Sequence, residues 1–126
     1  PKFIKAGEEQ KLLFNMDGKA IFKKTSQLFP GFVKDTMKKH EFSMDEFQQF
    51  IPHQASMLGL KIMEKKLNLP EGKLFVNIQK YGNLVGASIP MGIHEAMEEG
   101  KITEGDKFLS LATAAGLTLG ICAVKI

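Results

Sequence analysis

Two side chains that can donate hydrogen bonds while neutral, a histidine and an asparagine, each stand where an apolar stretch passes into a helical one. His53 lies in the stretch 50–56, after an apolar run and a proline, and Asn83 lies in the glycine-rich stretch 81–90. Loops that join a strand to a helix are where open α/β sheets bind ligands, because the loop is exposed and its flanks are rigid. We therefore predict that His53 and Asn83 face one cleft as a catalytic pair. For His53 alone, a histidine that is merely hydrogen-bonded at a helix start is the open alternative.

The composition is that of one soluble globular domain. The chain has 126 residues, of which 44% are hydrophobic and 25% charged. No apolar run approaches the roughly 20 residues that span a bilayer, so we expect no membrane segment. A single cysteine excludes an intrachain disulfide and, with no signal-peptide pattern, favours a cytoplasmic location. The polar stretch 1–10 is predicted to be a poorly ordered or cut end.

The basic residues argue against nucleic-acid binding. All 17 are lysines, and they are scattered among 14 carboxylates in a chain whose net charge is +3. Without arginine, the chain lacks the bidentate fork that specific phosphate and guanine recognition prefers. We expect no nucleic-acid partner.

The first third of the chain mixes strand and helix signals. Apolar runs at 11–15 and 20–22 flank Asp17-Gly18, a pair typical of tight turns between strands, and this predicts a hairpin or a strand with a kinked continuation. A helical pattern begins at Thr25, and Pro30 is predicted to divide it into two pieces.

The remaining elements alternate between strands and helices. Ser43 followed three residues later by Glu46 predicts a capping box. The helix after His53 is predicted to be mostly buried, and the later one, rich in small residues, to be the most buried of all. The predicted strands are 48–51, 74–77, 107–113 and 117–126, the last two forming an antiparallel hairpin, and the predicted helices are 55–68 and 86–97.

With these motifs in view, the sequence resembles the C-terminal half of the type III β-ketoacyl-acyl carrier protein synthases, members of the thiolase-like superfamily. The resemblance covers most of the chain. It implies an α/β fold, a thiolase-like half with a mixed five-stranded sheet and helices on both faces. The residues that carry it are Asp17-Gly18, Ile51-Pro-His-Gln-Ala55, Tyr81-Gly-Asn83, Ala87-Ser-Ile-Pro90 and Gly116-Leu-Thr-Leu-Gly120.

The resemblance implies an acyltransferase of fatty acid or related biosynthesis that performs a decarboxylative Claisen condensation. An acyl group passes from coenzyme A to a cysteine and then to the carbanion formed by decarboxylating a malonyl-acyl carrier protein. In that family a cysteine, a histidine and an asparagine share the site, and the last two match His53 and Asn83. Two neutral donors aimed at the thioester oxygen would stabilise the enolate. We also expect a homodimer or other homo-oligomer, no metal, and no cofactor beyond the coenzyme A thioester substrate.

The nucleophile is expected to lie outside this chain. The family's cysteine belongs to the N-terminal half, which we take to be absent and to be a partner of this domain. Cys122 is predicted to be a small core residue in the middle of a strand, with no helix N-terminus to lower its thiol pKa. We therefore expect the chain by itself to be inactive in condensation.

Three departures from the family pattern bear on substrate and partner. Ser56 stands where relatives commonly have asparagine, and contact between Ser56 and a pantetheine arm is a tentative expectation. Leu58 replaces a basic residue that helps to dock the carrier protein, and the segment 113–116 replaces a phenylalanine and glycine-rich segment, which should reshape the acyl pocket.

These departures leave two alternative functions open. One is a non-condensing thiolase-like module that binds an acyl thioester or a protein, and the other is an acyltransferase that acts on coenzyme A esters alone. His40 and His94 have no partner of catalytic type at a spacing that indicates a shared site, and they are predicted to be structural.

Overall fold

The computed structural model describes residues 16–114 and 116–126, which form an α/β domain. Short 3-10 turns at Met44–Glu46 and Val85–Ala87 lie between the longer elements. In chain order these elements are α1 (Gly18–Lys39), β1 (Gln49–Pro52), α2 (Met57–Lys66), α3 (Ile78–Tyr81), α4 (Ser88–Glu98), β2 (Lys107–Ala114) and β3 (Thr118–Lys125).

The sheet is mixed, as predicted, but within the described residues it has three strands in the order β1-β2-β3 rather than five. β1 is parallel to β2, and β2 forms an antiparallel hairpin with β3, which confirms the predicted C-terminal hairpin. The predicted strand 74–77 contributes an isolated bridge, from Leu74 to Phe50 on the free edge of β1. It stops there because the backbone turns at Asn77 into α3. The predicted strand 11–15 lies outside the described residues.

The prediction of a hairpin or a kinked strand at Asp17-Gly18 is wrong, because these residues begin α1 instead. The Asp17 carboxylate accepts a hydrogen bond from the Ala20 N–H at 2.9 Å, so it acts as the N-cap of the helix. Aspartate is favoured both in turns and at N-caps, and the short apolar run after it fits either structure. Residues 20–22 are therefore helical.

The predicted division at Pro30 is also wrong, since α1 continues through this residue. A proline inside a helix has no N–H to donate to the carbonyl four residues earlier, here that of Ser26. The Lys66 ammonium of α2 donates to that carbonyl at 2.6 Å. The interruption is thereby satisfied from the neighbouring helix, which also ties α1 to α2.

Helices cover both faces of the sheet, as predicted. On one face, Phe50 of β1 and Leu109 of β2 belong to a cluster with residues of α1 and α2, including Val33 and Leu60. On the other face, the cluster around Ile51 and Phe108 includes Ala96 of α4. Phe50 and Ile51 are consecutive, so the alternation of strand side chains distributes the core over both faces.

Two burial predictions meet different outcomes. α4 contributes four buried residues, more than α1 or α2, in agreement with the sequence: Ser88, Gly92, Glu95 and Ala96. In α2 only Leu60 is buried, and Leu58 is 62% exposed, so a mostly buried helix is wrong. The reason is that part of the apolar surface of α2 lines an open cavity rather than the core.

The predicted bond of the capping box is present, because the Ser43 N–H donates to Glu46 Oε1 at 2.8 Å.

Candidate active site

His53 immediately follows the last residue of β1. Its backbone N–H donates to the Leu111 carbonyl at 2.7 Å, which continues the pairing with β2 beyond the end of the strand. The preceding Pro52 is fully buried, whereas His53 is only partly buried. The backbone of His53 is therefore held by the sheet while its imidazole reaches the surface of a cavity.

Asn83 lies in the loop that joins α3 to α4. Gly82, with φ of +69°, ends α3 in a conformation that only glycine adopts without strain, and this turns the chain into the loop. Asn83 Oδ1 accepts a hydrogen bond from the Val85 N–H at 2.8 Å. Because its oxygen is engaged in this way, the carboxamide keeps its NH2 group as a donor for a ligand.

His53 and Asn83 line one cavity of about 750 Å³. The first half of α1 and the cavity-facing side of α2 form its walls, and most of this lining is apolar. Thr25 on α1 also lines the cavity, and its Oγ1 is buried without a hydrogen-bond partner among the described residues. A cavity with apolar walls and a few polar groups at one end is typical of small-molecule sites.

The environment of His53 favours a neutral imidazole. Burial lowers the pKa of His53 below its usual value, and a backbone hydrogen bond to Val85 opposes this shift only in part. A histidine with a lowered pKa is uncharged near neutral pH, so only one ring nitrogen carries a hydrogen, and a ligand oxygen would accept that hydrogen in place of the Val85 backbone.

Val85 is a further residue of interest that the sequence did not single out. Its φ is +53°, which is a strained value for a β-branched residue, and its side chain is 74% exposed. Strained backbone of this kind persists where the surroundings fix it, and it is frequent in functional loops. Here the Val85 backbone N–H donates to Asn83 Oδ1, so this loop conformation helps to fix the carboxamide of the pair.

Ser56 also lines the cavity and has a structural role as the N-cap of α2. Its hydroxyl oxygen accepts a hydrogen bond from the Gly59 N–H at 3.1 Å. The Ser56 O–H remains available as a donor. Thr113 and Ala114, from the segment 113–116 that is expected to reshape the acyl pocket, line the same cavity.

The prediction that Cys122 is a core residue is wrong, because this cysteine is exposed on β3. β3 is an edge strand of the described sheet and has several other exposed positions, whereas its neighbour β2 has four buried residues out of eight. Cys122 is not among the described residues that line the cavity.

Two buried polar residues, Gln54 and Glu95, were missed by sequence reasoning. Gln54 follows His53 directly and is 1% exposed, and Glu95 on α4 is 7% exposed. A signal for Glu95 existed in the spacing: Ser88, Gly92 and Ala96 recur on one face of α4, and Glu95 falls on that same face. A carboxylate on a buried stripe indicates a polar partner.

The other histidines and the carboxylates form no metal centre in the part of the chain that the structure describes. His40 and His94 are exposed. Within residues 16–114 and 116–126, no group of three or more His, Cys, Asp or Glu side chains is placed to hold a metal ion. In the same ranges, no helix has both the length and the apolar character needed to cross a membrane.

Solved structures define the class of fold. The crystal structure of 3-oxoacyl-[acyl-carrier-protein] synthase III from Aquifex aeolicus VF5 is similar with a TM-score of 0.82 and 38% identity, over 89% of this chain and 36% of that chain. The β-ketoacyl-[acyl carrier protein] synthase III of Thermus thermophilus gives a TM-score of 0.82 at 30% identity, over 89% and 35%. The domain thus has the α/β, thiolase-like fold of these enzymes.

Sequence comparison gives the family. Residues 37–126 match the family described as 3-oxoacyl-[acyl-carrier-protein (ACP)] synthase III C terminal. The β-ketoacyl-[acyl-carrier-protein] synthase III of Aquifex aeolicus (strain VF5) is 41% identical over 105 residues, which are 83% of this chain and 34% of the relative. That of Campylobacter jejuni subsp. jejuni serotype O:6 is 37% identical over 116 residues, or 92% and 36%. The chain belongs to this family of C-terminal domains, as the resemblance predicted, and it spans about a third of the length of these relatives.

Proposed function

We propose that this domain supplies the oxyanion site of a decarboxylative Claisen condensation between an acyl-coenzyme A and a malonyl-acyl carrier protein. The observation that carries the proposal is that His53 and Asn83 line the same cavity. The names of the relatives support the reaction class, since they are β-ketoacyl-acyl carrier protein synthases III.

The chemistry follows from where charge develops. When malonyl thioester loses CO2, the electron pair of the broken C–C bond forms an enolate whose oxygen is negative. The neutral imidazole of His53 and the NH2 group of Asn83 donate to that oxygen, and one such donor is worth about 3 kcal/mol. The enolate carbon then attacks the acyl thioester carbonyl on a cysteine, and the cysteine thiolate leaves. The exposed Cys122, away from the cavity lining, does not suit this role, so we assign the nucleophile to an N-terminal half.

The cavity between α1 and α2 suits the pantetheine arm shared by coenzyme A and acyl carrier protein. Its apolar walls suit the alkyl portions of the arm, and Ser56, which lines the cavity, has an O–H that can donate to an amide carbonyl. Leu58, where relatives commonly carry a basic residue, is exposed and offers no charge to an acidic carrier protein. We therefore expect carrier docking to rely on other contacts, such as the lysines of α2.

The test belongs in the full-length enzyme that contains this domain, with His53→Ala and Asn83→Ala as the variants. Release of CO2 from malonyl-acyl carrier protein should fall about a hundredfold or more for each variant, while acyl loading of the cysteine from acyl-coenzyme A changes much less. The control is His94→Ala, which removes an exposed histidine of α4 and should leave both activities at the parent level.

Unchanged decarboxylation in both variants would remove the oxyanion assignment. If the parent protein bound acyl-coenzyme A but neither loaded a cysteine nor released CO2, the domain would belong to a non-condensing binding protein. Condensation with malonyl-coenzyme A and not with the carrier-bound form would instead indicate an acyltransferase of coenzyme A esters alone.

A further inference from the structure

The four residues of α3 lie directly before the loop that carries Asn83, and two buried side chains from different elements bond to α3 and its N-cap residue. Gln54 reaches α3 from the loop after β1, and Glu95 reaches it from α4. We call Gln54 and Glu95 together the α3 clamp. Neither residue lines the cavity, as far as the described residues define it.

Gln54 completes the first turn of α3. Its Oε1 accepts hydrogen bonds from the backbone N–H groups of Asn77 at 3.0 Å and Ile78 at 2.9 Å, and its Nε2 donates to the Phe75 carbonyl at 3.3 Å. The first N–H groups of any helix lack partners within the helix, and the side chain of the N-cap residue Asn77 supplies none here. Gln54 therefore performs from a distant element the capping that α3 does not provide for itself.

Glu95 holds the side chains of the same short helix. Its Oε2 accepts from Asn77 Nδ2 at 2.6 Å, and its Oε1 accepts from Tyr81 Oη at 2.6 Å and from the Lys80 ammonium. A buried carboxylate is stable only where it is fully hydrogen-bonded, and charge-assisted bonds of this kind are strong and well oriented. Residues at the start and at the end of α3 are thereby fixed to one carboxylate group of α4.

These contacts have a consequence for the candidate catalytic pair. A single helical turn is unstable by itself, since isolated helices shorter than about 12 residues are marginal in water. α3 depends on the clamp for its position, and only Gly82 separates α3 from Asn83. Gln54, in turn, is covalently joined to His53. The clamp thus connects the backbone at His53 to α3, and through α3 to the backbone at Asn83.

We propose that Gln54 and Glu95 are positioning residues that hold the Asn83 side chain at a fixed position relative to the His53 imidazole. The proposal rests on the oxyanion function inferred above, and it assigns to the clamp no contact with substrate. A displacement of about 1 Å in a reacting group is enough to reduce a rate substantially. Loss of the clamp should therefore affect the step that needs both donors at one oxygen more than it affects acyl loading.

The first test uses Glu95→Gln in the full-length enzyme. Glutamine keeps an oxygen for Lys80 and Tyr81 but removes the negative charge, and its NH2 group cannot accept from Asn77 Nδ2, so a bond to Asn77 requires the Asn77 carboxamide to turn over. We expect CO2 release from malonyl-acyl carrier protein to fall about tenfold or more, with acyl loading of the cysteine close to the parent value. The matched control is Glu98→Gln, on the exposed side of the same helix.

The second variant restores a hydrogen bond between positions 77 and 95, with donor and acceptor exchanged. In the double variant Asn77→Asp with Glu95→Gln, the new carboxylate at 77 accepts from the new amide at 95, while Oε1 still accepts from Lys80 and Tyr81. Recovery of most of the lost decarboxylation would support positioning through this bond. If the double variant were no better than Glu95→Gln, or if acyl loading fell as far as decarboxylation, the positioning role would be refuted.

Hydrogen exchange separates failure of this inference from failure of the proposed function. In Gln54→Leu, the amides of Asn77 and Ile78 should exchange at least about tenfold faster than in the parent, because they lose their acceptor. If exchange there were unchanged, the clamp would be wrong whatever the activity. If exchange rose while His53→Ala and Asn83→Ala still released CO2 at the parent rate, the proposed function would be wrong and the clamp would stand as a structural feature.

Discussion

Glu95 shows how a single buried carboxylate is kept charged. The hydrogen bond from Lys80, followed by those from Tyr81 and Asn77, lowers the pKa of Glu95 to about 2 against an ordinary value of 4.5. The same contact raises the pKa of the Lys80 ammonium, whose side chain is still 64% exposed. The side chain of Glu95 is only 9% exposed. Of the two charged groups, Glu95 is therefore the one whose charge depends on these hydrogen bonds.

This shift predicts a dependence of stability on pH. A carboxyl whose pKa is lower in the folded state stabilises the fold fully above its unfolded pKa, and this contribution is lost as the pH falls toward the folded value. The window is therefore from about pH 4.5 down to about pH 2. We expect the difference in urea midpoint between the parent and Glu95→Gln to be largest at pH 6 and to shrink steadily on acidification to pH 2.5.

Comparing the parent with Glu95→Gln cancels the contributions that other groups titrating in this pH window make to stability. The pKa of Glu46 is also lowered, by its hydrogen bonds with Lys107 and the Ser43 backbone, but Glu46 is present in both proteins. Glu98→Gln serves as the exposed control on α4, and its midpoint should follow that of the parent at each pH. A parent-to-variant difference for Glu95→Gln that did not change between pH 6 and pH 2.5 would contradict the assigned cause.

At the scale of elements, the close approach of α4 to β1 places the loop before α4 beside the end of β1. Gly92 makes this approach possible: a Cβ built on it would lie 2.8 Å from the Cγ2 atom of Ile51. Ile51 is fully buried in the centre of β1, so its methyl group has little room to move. The small-residue pattern of α4 therefore reflects packing rather than a ligand.

Gly92→Ala should destabilise the domain by about 1 kcal/mol or more. Overpacking a core costs about 1–3 kcal/mol, and alanine returns up to about 1 kcal/mol through its better helix propensity. Gly31 is the matched control, because it also lies inside a helix but a Cβ added there would meet no described atom within 4 Å, so Gly31→Ala should be neutral or stabilising. Chemical denaturation of both variants measures the difference, and equal stability of the two would argue against close packing at Gly92.

At the scale of the whole molecule, the described residues leave apolar surface uncovered. The side chains of Leu58 and Val85 are 62% and 74% exposed, and the cavity between α1 and α2 opens on the same side of the sheet as α2. The relatives are about two and a half times as long as this chain, and their additional length is available to cover such surfaces. Exposed apolar patches of this kind commonly mark interfaces.

We expect the isolated domain to self-associate through this side. Static light scattering should give a mass that rises with protein concentration, and Leu58→Lys should reduce the rise by adding a charge to the patch. Met97→Lys is the control, since Met97 is 49% exposed on α4, which packs on the opposite face of the sheet. A parent protein that remained monomeric up to millimolar concentration would contradict this prediction.

The sequence by itself determined the features that depend on neighbouring residues. The hairpin of β2 and β3, the helix before Gly100 and the bond between Ser43 and Glu46 follow from alternation, spacing and capping over a few positions. The motifs around His53 and Asn83 were visible for the same reason, and they identified the family. That both residues line one cavity was an expectation from topology, and the structure places both on that lining.

Tertiary structure decided what depends on residues far apart in the sequence. Pro30 does not end α1, because Lys66 satisfies the carbonyl it leaves free. The segment 74–77 is not a full strand, since the backbone turns at Asn77, where Gln54 and Glu95 both bond to the start of α3. In each case the local pattern was compatible with two structures, and a hydrogen bond from a residue more than 15 positions away selected one of them. Local periodicity carries no information about such partners, so only the folded chain could reveal them.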